Sequence, residues 1–448
     1  MSIQWRPMPT SYMPYEPTQD FLLPPSLQEW LPQDHLAHFI SDTVDQLDLT
    51  AFYARYEGGG SRNQPFHPAM MVKVLVYAYA SGVFSSRKIA RKLHENVAFR
   101  VLAAGNFPKH RTICDFRALH LQELSALFVQ VVKLARECGL IKLGTIAVDG
   151  TKLRANASKH KAMSYERMQA AEKQLQQQIK ELLDRAARTD AAEADEPETD
   201  IPAEIARREK RLQAIHEAKQ RLEQRQREAD EKRGRTPDDD NRPKGKDGQP
   251  KKSGRGFARD FGVPKSTEQD NFTDPDSRIM KTSAGFEQCY NAQTAVDAHA
   301  QLIVAAELTN VAADNGELPR MLQAATDNCG QAPDLALADA GYRSEEVLEQ
   351  LSSSSTEVLI ALGREGKKQI EIDEAKLPLT AAMAARLQTA QGQAKYRRRK
   401  VIVEPPNAWI KQVLGFRQFS FRSIDKVRCE FKLVCAALNL RRMASMMC

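Results

Sequence analysis

Leu143-Gly144-Thr145-Ile146-Ala147-Val148-Asp149-Gly150 is the stretch on which the fold turns. The apolar run from Ile141 to Val148 predicts a buried strand, with Asp149 at its exit. A later stretch, Leu335-Ala336-Leu337-Ala338-Asp339-Ala340-Gly341-Tyr342, again ends an apolar run on an aspartate. Two such strands side by side would put both carboxylates on one edge of a sheet. A third acid, Glu404, stands in Tyr396-Arg397-Arg398-Arg399-Lys400-Val401-Ile402-Val403-Glu404-Pro405-Pro406, just after a basic burst.

Outward from the first strand the pattern is helical. His67-Pro68 precedes an apolar segment from Ala69 to Ala80. Ser85 or Ser86 can cap a helix from Arg87 to His94, with Ile89 and Leu93 on one face. From Thr112 a longer helix is expected up to Gly139, a suitable C′ residue. Residues 1–140 therefore read as one all-helical N-terminal domain, behind a Pro-rich start. Beyond 141–160, Met168, Leu175, Ile179 and Leu182 form one stripe and Ile205, Leu212, Ile215 and Leu222 another. That spacing predicts a helical hairpin or short coiled coil over 161–233, turning between Ala191 and Pro202. Residues 234–270 read as a basic flexible linker. Over 271–448, strands at Gln293–Asp297, Leu302–Leu308, Leu335–Ala338 and Val358–Leu362 alternate with helices at Leu318–Ala325 and Ser344–Leu351. The order predicts a mixed α/β sheet closed by a terminal helical region.

At 448 residues, with 42% hydrophobic and 27% charged residues, the chain suits several soluble domains. A net charge of +7 leans toward a polyanionic partner. The seven scattered cysteines form no C-x-x-C pair and no zinc-ligand spacing, and read as reduced cytosolic thiols. Neither a signal peptide nor a bilayer-spanning stretch is expected.

The three acids suit phosphodiester chemistry. Cleavage by water or a 3′-hydroxyl needs the attacking and leaving oxygens stabilised together, which two Mg²⁺ ions about 3.5–4 Å apart can do. Mg²⁺ is a hard cation that prefers oxygen and keeps several waters, so a few rigidly placed carboxylates suffice. Residues 395–411 hold six cations against the single anion Glu404, a density that favours phosphate contacts. Taken singly, an aspartate at a strand end is more often a turn former or helix cap. Arg87, Lys88 and Arg91 give the N-terminal helices a basic surface on a short, Ser-capped helix, in keeping with helix-turn-helix logic. The alternative is a packing domain with solvated charges.

Ala147-Val148-Asp149-Gly150-Thr151-Lys152-Leu153-Arg154 resembles the first acidic motif of the DDE-type bacterial insertion-sequence transposases, in the subgroup numbered eleven-eighty-two. Ala338-Asp339-Ala340-Gly341-Tyr342 resembles the second motif and Tyr396 to Lys411 the third. Asp274-Pro275-Asp276-Ser277-Arg278, Gly285 to Asp297 and the helical stretch Pro65 to Arg117 are similar to that group as well. The resemblance implies an α/β RNase H-like catalytic core with an all-helical N-terminal domain and a helical-hairpin insertion. It implies Asp149, Asp339 and Glu404 as catalytic, metal-binding residues holding two Mg²⁺ ions, with Mn²⁺ as a substitute. It also implies that Tyr396, Lys400 and Lys411 handle the DNA backbone near the cut, with Lys400 rather than Arg399 in the family's basic position; Arg399, in the same basic run, is expected to bind DNA as well. The expected partners are double-stranded DNA, at terminal inverted repeats and target, and a second copy of the chain in a bacterial, nucleoid-associated complex. One departure stands out: Glu404 is followed by Pro405-Pro406-Asn407-Ala408-Trp409, and the extra proline is expected to delay the helix by a turn. The rival reading is a catalytically inactive, transposase-derived DNA-binding protein.

Overall fold

The computed structural model describes residues 26–56, 64–192, 201–238, 256–363 and 372–447. At the centre lies strand β1 (Thr145–Arg154), with Ile146, Ala147 and Val148 buried. It is longer than its apolar run predicts, so Asp149 sits within the strand and not at its exit. The cause is its antiparallel neighbour β5 (Gly285–Asp297), which pairs with it from Ile146↔Asp297 to Arg154↔Cys289. On the other side β7 (Leu335–Ala338) runs parallel and stops at Val148↔Ala338. Asp149 is thus the first residue of β1 past the end of that parallel ladder.

The rest of the sheet builds out from these three strands. β8 (Glu357–Ile360) lies parallel beyond β7. β4 (Arg278–Thr282) and β6 (Ile303–Thr309) pair antiparallel with successive parts of β5. The order β6-β5-β1-β7-β8 is the expected mixed sheet. Helices α10 (Glu317–Cys329) and α11 (Glu345–Leu351) make the crossovers into β7 and β8. Ser344 caps α11, accepting from Val347 N at 3.1 Å. A separate ribbon pairs β2 (Ala162–Ser164) with β3 (Gln269–Asn271). Three helices finish the chain: α12 (Pro378–Gln388), α13 (Ala390–Ala408) and α14 (Ile424–Met447).

Upstream come α1 (Leu36–Gln46), α2 (Thr50–Ala54), α3 (Pro68–Ala80), α4 (Ser86–Glu95), α5 (Val97–Leu102), α6 (His110–Leu119) and α7 (Leu121–Glu137). The single helix expected from Thr112 to Gly139 is in fact two, divided at His120. That histidine is buried, packs against Phe52 and Phe116 and lies 3.0 Å from the Tyr56 hydroxyl, so tertiary contacts override an unbroken periodicity. Gly139 ends α7 at φ +73°, with Leu140 N–H bonded to Ala135 C=O.

These helices share one hydrophobic core with the sheet. The link is α14, which packs on α3 and α7 on one side and on β6 on the other. Its Val427, Phe431, Val434 and Leu438 are buried, as expected for core packing. The hairpin is different. α8 (Tyr165–Ala192) and α9 (Ile201–Lys232) run antiparallel around a small core of their own, made by Tyr165, Met168, Leu175, Ile215, Ala218 and Leu222. The Pro-rich start, most of the expected turn and the basic stretch 239–255 lie outside the described residues.

Candidate active site

Where β7 ends, β1 continues beside β5, with the 417–419 segment joining it on the other side only at Arg154, and polar side chains collect along the edge between. Opposite residues of an antiparallel pair share a face. Asp149 and its partner Thr294 therefore look one way, toward α13. The buried Asn407 of that helix answers them: Thr294 Oγ1 donates to Asn407 Oδ1 at 3.1 Å, and Asn407 Nδ2 donates to Asp149 Oδ2 at 3.4 Å. Gly150 and its partner Gln293 look the other way.

Asp339 follows the last residue of β7. It caps a one-turn helix, Ala340–Tyr342, with Oδ1 accepting from Gly341 N at 2.8 Å. Both aspartates therefore stand at the point where β1 and β7 part. Burial pushes the Asp149 carboxyl up to about 6; the Arg399 guanidinium opposes the rise, while the charges of Asp339 and Asp314 add to it.

Asp314 is a carboxylate that sequence reasoning missed. It lies in Ala312-Ala313-Asp314-Asn315-Gly316, between β6 and α10, where an aspartate reads as a turn former. Asn291 Nδ2 and Gln293 Nε2 donate to its Oδ1 at 2.7 and 2.8 Å, and Lys152 Nζ lies 3.4 Å away. The Tyr342 hydroxyl holds Gln293 in turn by donating to its Oε1. The only available signal was indirect: two glycines, Gly150 and Gly341, in motifs whose neighbouring acids were already suspect.

Glu404 is exposed on α13, three residues before Asn407 and about 4.5 Å from it along the helix axis. The tandem prolines do not delay the helix, contrary to expectation. α13 runs through Pro405 and Pro406, then passes into a π-turn over Trp409–Val413. Proline at 405 removes the N–H that Val401 C=O would use; Gln301 Nε2 supplies the missing donor at 2.8 Å. Among the described residues, no three His, Cys, Asp or Glu groups stand close enough together to hold an ion. The structure makes Asp149 and Asp339 neighbours and leaves Glu404 at the rim on the helix beside them.

The basic residues divide. Arg399 is half-buried, its charge bearing on Asp149, and its Nη1 is buried without a hydrogen-bond partner. Lys411, in the π-turn, has its pKa lowered chiefly by burial, with Lys152 and Arg417 adding to the effect and Cys289 and Asp149 opposing it. Lys400 is exposed. Tyr396 donates its hydroxyl to Ala338 C=O at 3.2 Å, which ties α13 to the end of β7. Lys395 is paired with Glu357 at 2.6 Å. Arg87, Lys88 and Arg91 are exposed on α4, which packs chiefly on α5 and α6. Ser85 holds the N-cap position of α4 without a side-chain cap bond. The turn into α4 docks on the segment after Lys411, with Phe84 against Phe416 at 5.0 Å between ring centroids.

Two family models match this chain. Residues 25–119 match the Transposase domain (DUF772), which covers α1 to α6. Residues 258–440 match the Transposase DDE domain, which covers β3 and all the sheet strands after it, together with Asp314, Asp339 and Glu404. No curated protein and no solved structure matches the chain. The DDE match implies an RNase H-like core, and the mixed sheet is consistent with one. β1 falls between the two matched stretches, yet it is the central strand of the second. With a transposase helical region packed on a DDE sheet, the chain belongs to the insertion-sequence DDE transposases.

Proposed function

We propose that this transposase cuts phosphodiester bonds at the ends of an insertion sequence and joins the freed 3′-hydroxyl to target DNA, using Asp149, Asp339 and Glu404. The observation that carries the reading is the parting of β1 and β7 at Val148 and Ala338, which sets two carboxylates side by side on a sheet edge. The donor set fits a hard divalent cation: oxygen ligands only, two of them on rigid backbone and partly buried. Asp149 and Asp339 would hold Mg²⁺ or Mn²⁺, with Glu404 reaching in from the rim. When bound, the two ions would stabilise the attacking and leaving oxygens of an in-line displacement.

The chain's own residues do the rest. Asn407, held by Thr294, orients Asp149 from the α13 side. Tyr396 fixes α13 to the strand end that carries Asp339. Arg399, Lys400 and Lys411 would neutralise phosphates of the DNA end, and Arg87, Lys88 and Arg91 would contact the duplex from α4. The helical hairpin is an insertion between β1 and the rest of the sheet. DNA-bound copies would pair as a homodimer.

The test is nicking of terminal-repeat DNA with and without Mg²⁺. Asp149→Ala should abolish Mg²⁺-dependent cutting and leave gel-shift binding intact. Cutting that persists in this variant would remove Asp149 from the mechanism and the proposal with it.

A further inference from the structure

Asp314 stands nearer the heart of this edge than its place in a polar loop suggests. A Cβ built on Gly150 would meet Asp314 Oδ1 at 2.5 Å, Gln293 Nε2 at 2.5 Å and Asn291 Oδ1 at 3.1 Å. A Cβ built on Gly341 would lie 3.0 Å from Asp339 Oδ1 and 3.3 Å from Asp314 Oδ2. The carboxylate of Asp314 therefore fills the space that two glycines leave open, one beside each suspected catalytic aspartate.

Its orientation is fixed from behind. Oδ1 takes Asn291 and Gln293 as donors, with Lys152 close by, and Gln293 is itself gripped by Tyr342. Saturating Oδ1 turns Oδ2 toward Gly341, across which it faces the Asp339 carboxylate. Bringing two like charges together in a partly buried place is unfavourable unless a cation joins them.

A second observation points the same way. Asn291 is fully buried, and its Oδ1 has no hydrogen-bond partner, although its Nδ2 is used twice, toward Val311 C=O and Asp314. That acceptor is aimed at the same point beside Gly150. A buried amide oxygen left over, next to carboxylates, is an unfilled ligand of the kind a hard cation or its water takes up.

We propose that Asp314 is a further carboxylate of the cation site, acting with Asp339 across Gly341, with Asn291 Oδ1 behind it for the cation's water shell. The inference rests on the reading of Asp149 and Asp339 as metal ligands. It adds to the family's three acids one that sits in a loop and is held, through Gln293, by the tyrosine of the second motif.

The experiment uses the full chain and MnCl₂. Mn²⁺ affinity is measured by the loss of the free-ion electron paramagnetic resonance signal, and metal-free stability by thermal unfolding. Asp314→Asn keeps an Oδ1 acceptor for its donors, so the fold should hold while Mn²⁺ binding weakens about tenfold or more. Gly341→Ala, at an exposed glycine, would wedge the two carboxylates apart and weaken binding as well. If both act through the same pair, the double variant should lose little more than Asp314→Asn alone. Asp149→Asn serves as the control. Loss of Mn²⁺ binding in Asp149→Asn with unchanged binding in Asp314→Asn would leave the active-site reading standing and overturn this inference. No Mn²⁺ binding by the unaltered chain would overturn both. Should Asp314→Asn unfold, Gly341→Ala decides: unchanged Mn²⁺ affinity there rejects the pairing across Gly341.

Discussion

The molecule has two helical regions, and they are built into it in opposite ways. The N-terminal helices have no boundary with the sheet, because α14 lies between them with both sides buried. A buried polar chain crosses the same seam. Arg117 donates to the Tyr79 hydroxyl at 3.1 Å, and Tyr79 donates to Glu430 Oε1 at 3.1 Å. Glu430 Oε2 accepts from Ser420 N at 2.7 Å. The α8–α9 hairpin keeps its own small core instead. It is tied down near its base by Asp270, which pairs with Arg221 at 2.7 Å and with Arg225. One region completes the fold, while the other is carried by it.

The sharpest way to break that contrast is deletion. Replacing residues 166–231 with a short Gly/Ser turn should leave a cooperative thermal transition for the rest of the chain. Removing residues 26–137 should abolish it, since Val427, Phe431, Val434 and Leu438 would lose one of their two packing partners. A soluble, cooperatively melting sheet without the N-terminal helices would refute the shared core. The point-mutant version is milder. Glu430→Ala leaves the Tyr79 hydroxyl and two backbone N–H groups without their acceptor in a dry place and takes a nearby opposite charge from Arg117, and should cost about 3–5 kcal/mol. Asp270→Ala should cost about 1–2 kcal/mol, because Arg221 and Arg225 are partly exposed and can be rehydrated. Equal losses from the two, by urea unfolding, would erase the distinction.

Asp149 sharpens the comparison at the sheet itself, where function and stability pull apart. Its carboxyl titrates near 6 against an unperturbed 3.8. A raised acid contributes stability that is complete below about pH 3.8 and lost as pH rises through 6. Asp149→Asn removes that dependence. Without metal it should be more stable than the wild type at pH 7–8, by on the order of 2–3 kcal/mol, with the gain fading toward pH 4. An Asn variant less stable at pH 8 would mean that the carboxylate is structurally satisfied and not held in reserve for a cation.

Much of this was legible beforehand, and the exceptions share a cause. The placing of Asp149 and Asp339 side by side at one sheet edge could be read because each ends an apolar run, and a buried strand leaves few other meanings for such a run. The hairpin could be read because two stripes at helical spacing are a local signal. The break at His120 could not, since the apolar period continues through it and only Phe52 and Tyr56, far back in the chain, demand the bend. The continuity of α13 through Pro405 and Pro406 was hidden likewise. Two prolines predict a stop, and the donor that relieves Val401 C=O comes from Gln301. Gln301 is held in turn by Arg442 Nη2 at 2.6 Å. Asp314 escaped because its meaning lies in what Gly150 and Gly341 lack.

The smallest effect tests whether the N-terminal region has an outer function distinct from its inner one. On α4, Ile89 and Leu93 are buried while Arg87, Lys88 and Arg91 are exposed, and among the described residues the one ion pair those three make, Arg91 with Glu95, is stretched to 4.0 Å. Charges so placed contribute almost nothing to folding, so Arg87→Ala, Lys88→Ala and Arg91→Ala should each shift stability by less than about 0.5 kcal/mol. If they lie on DNA phosphates, each removal should lower the slope of log affinity against log salt by about one. The loss should be similar for terminal-repeat and unrelated duplexes, because phosphate contacts carry no sequence information. Unchanged slopes in all three variants would make the exposed side of α4 a solvated surface and confine the role of these helices to holding α14.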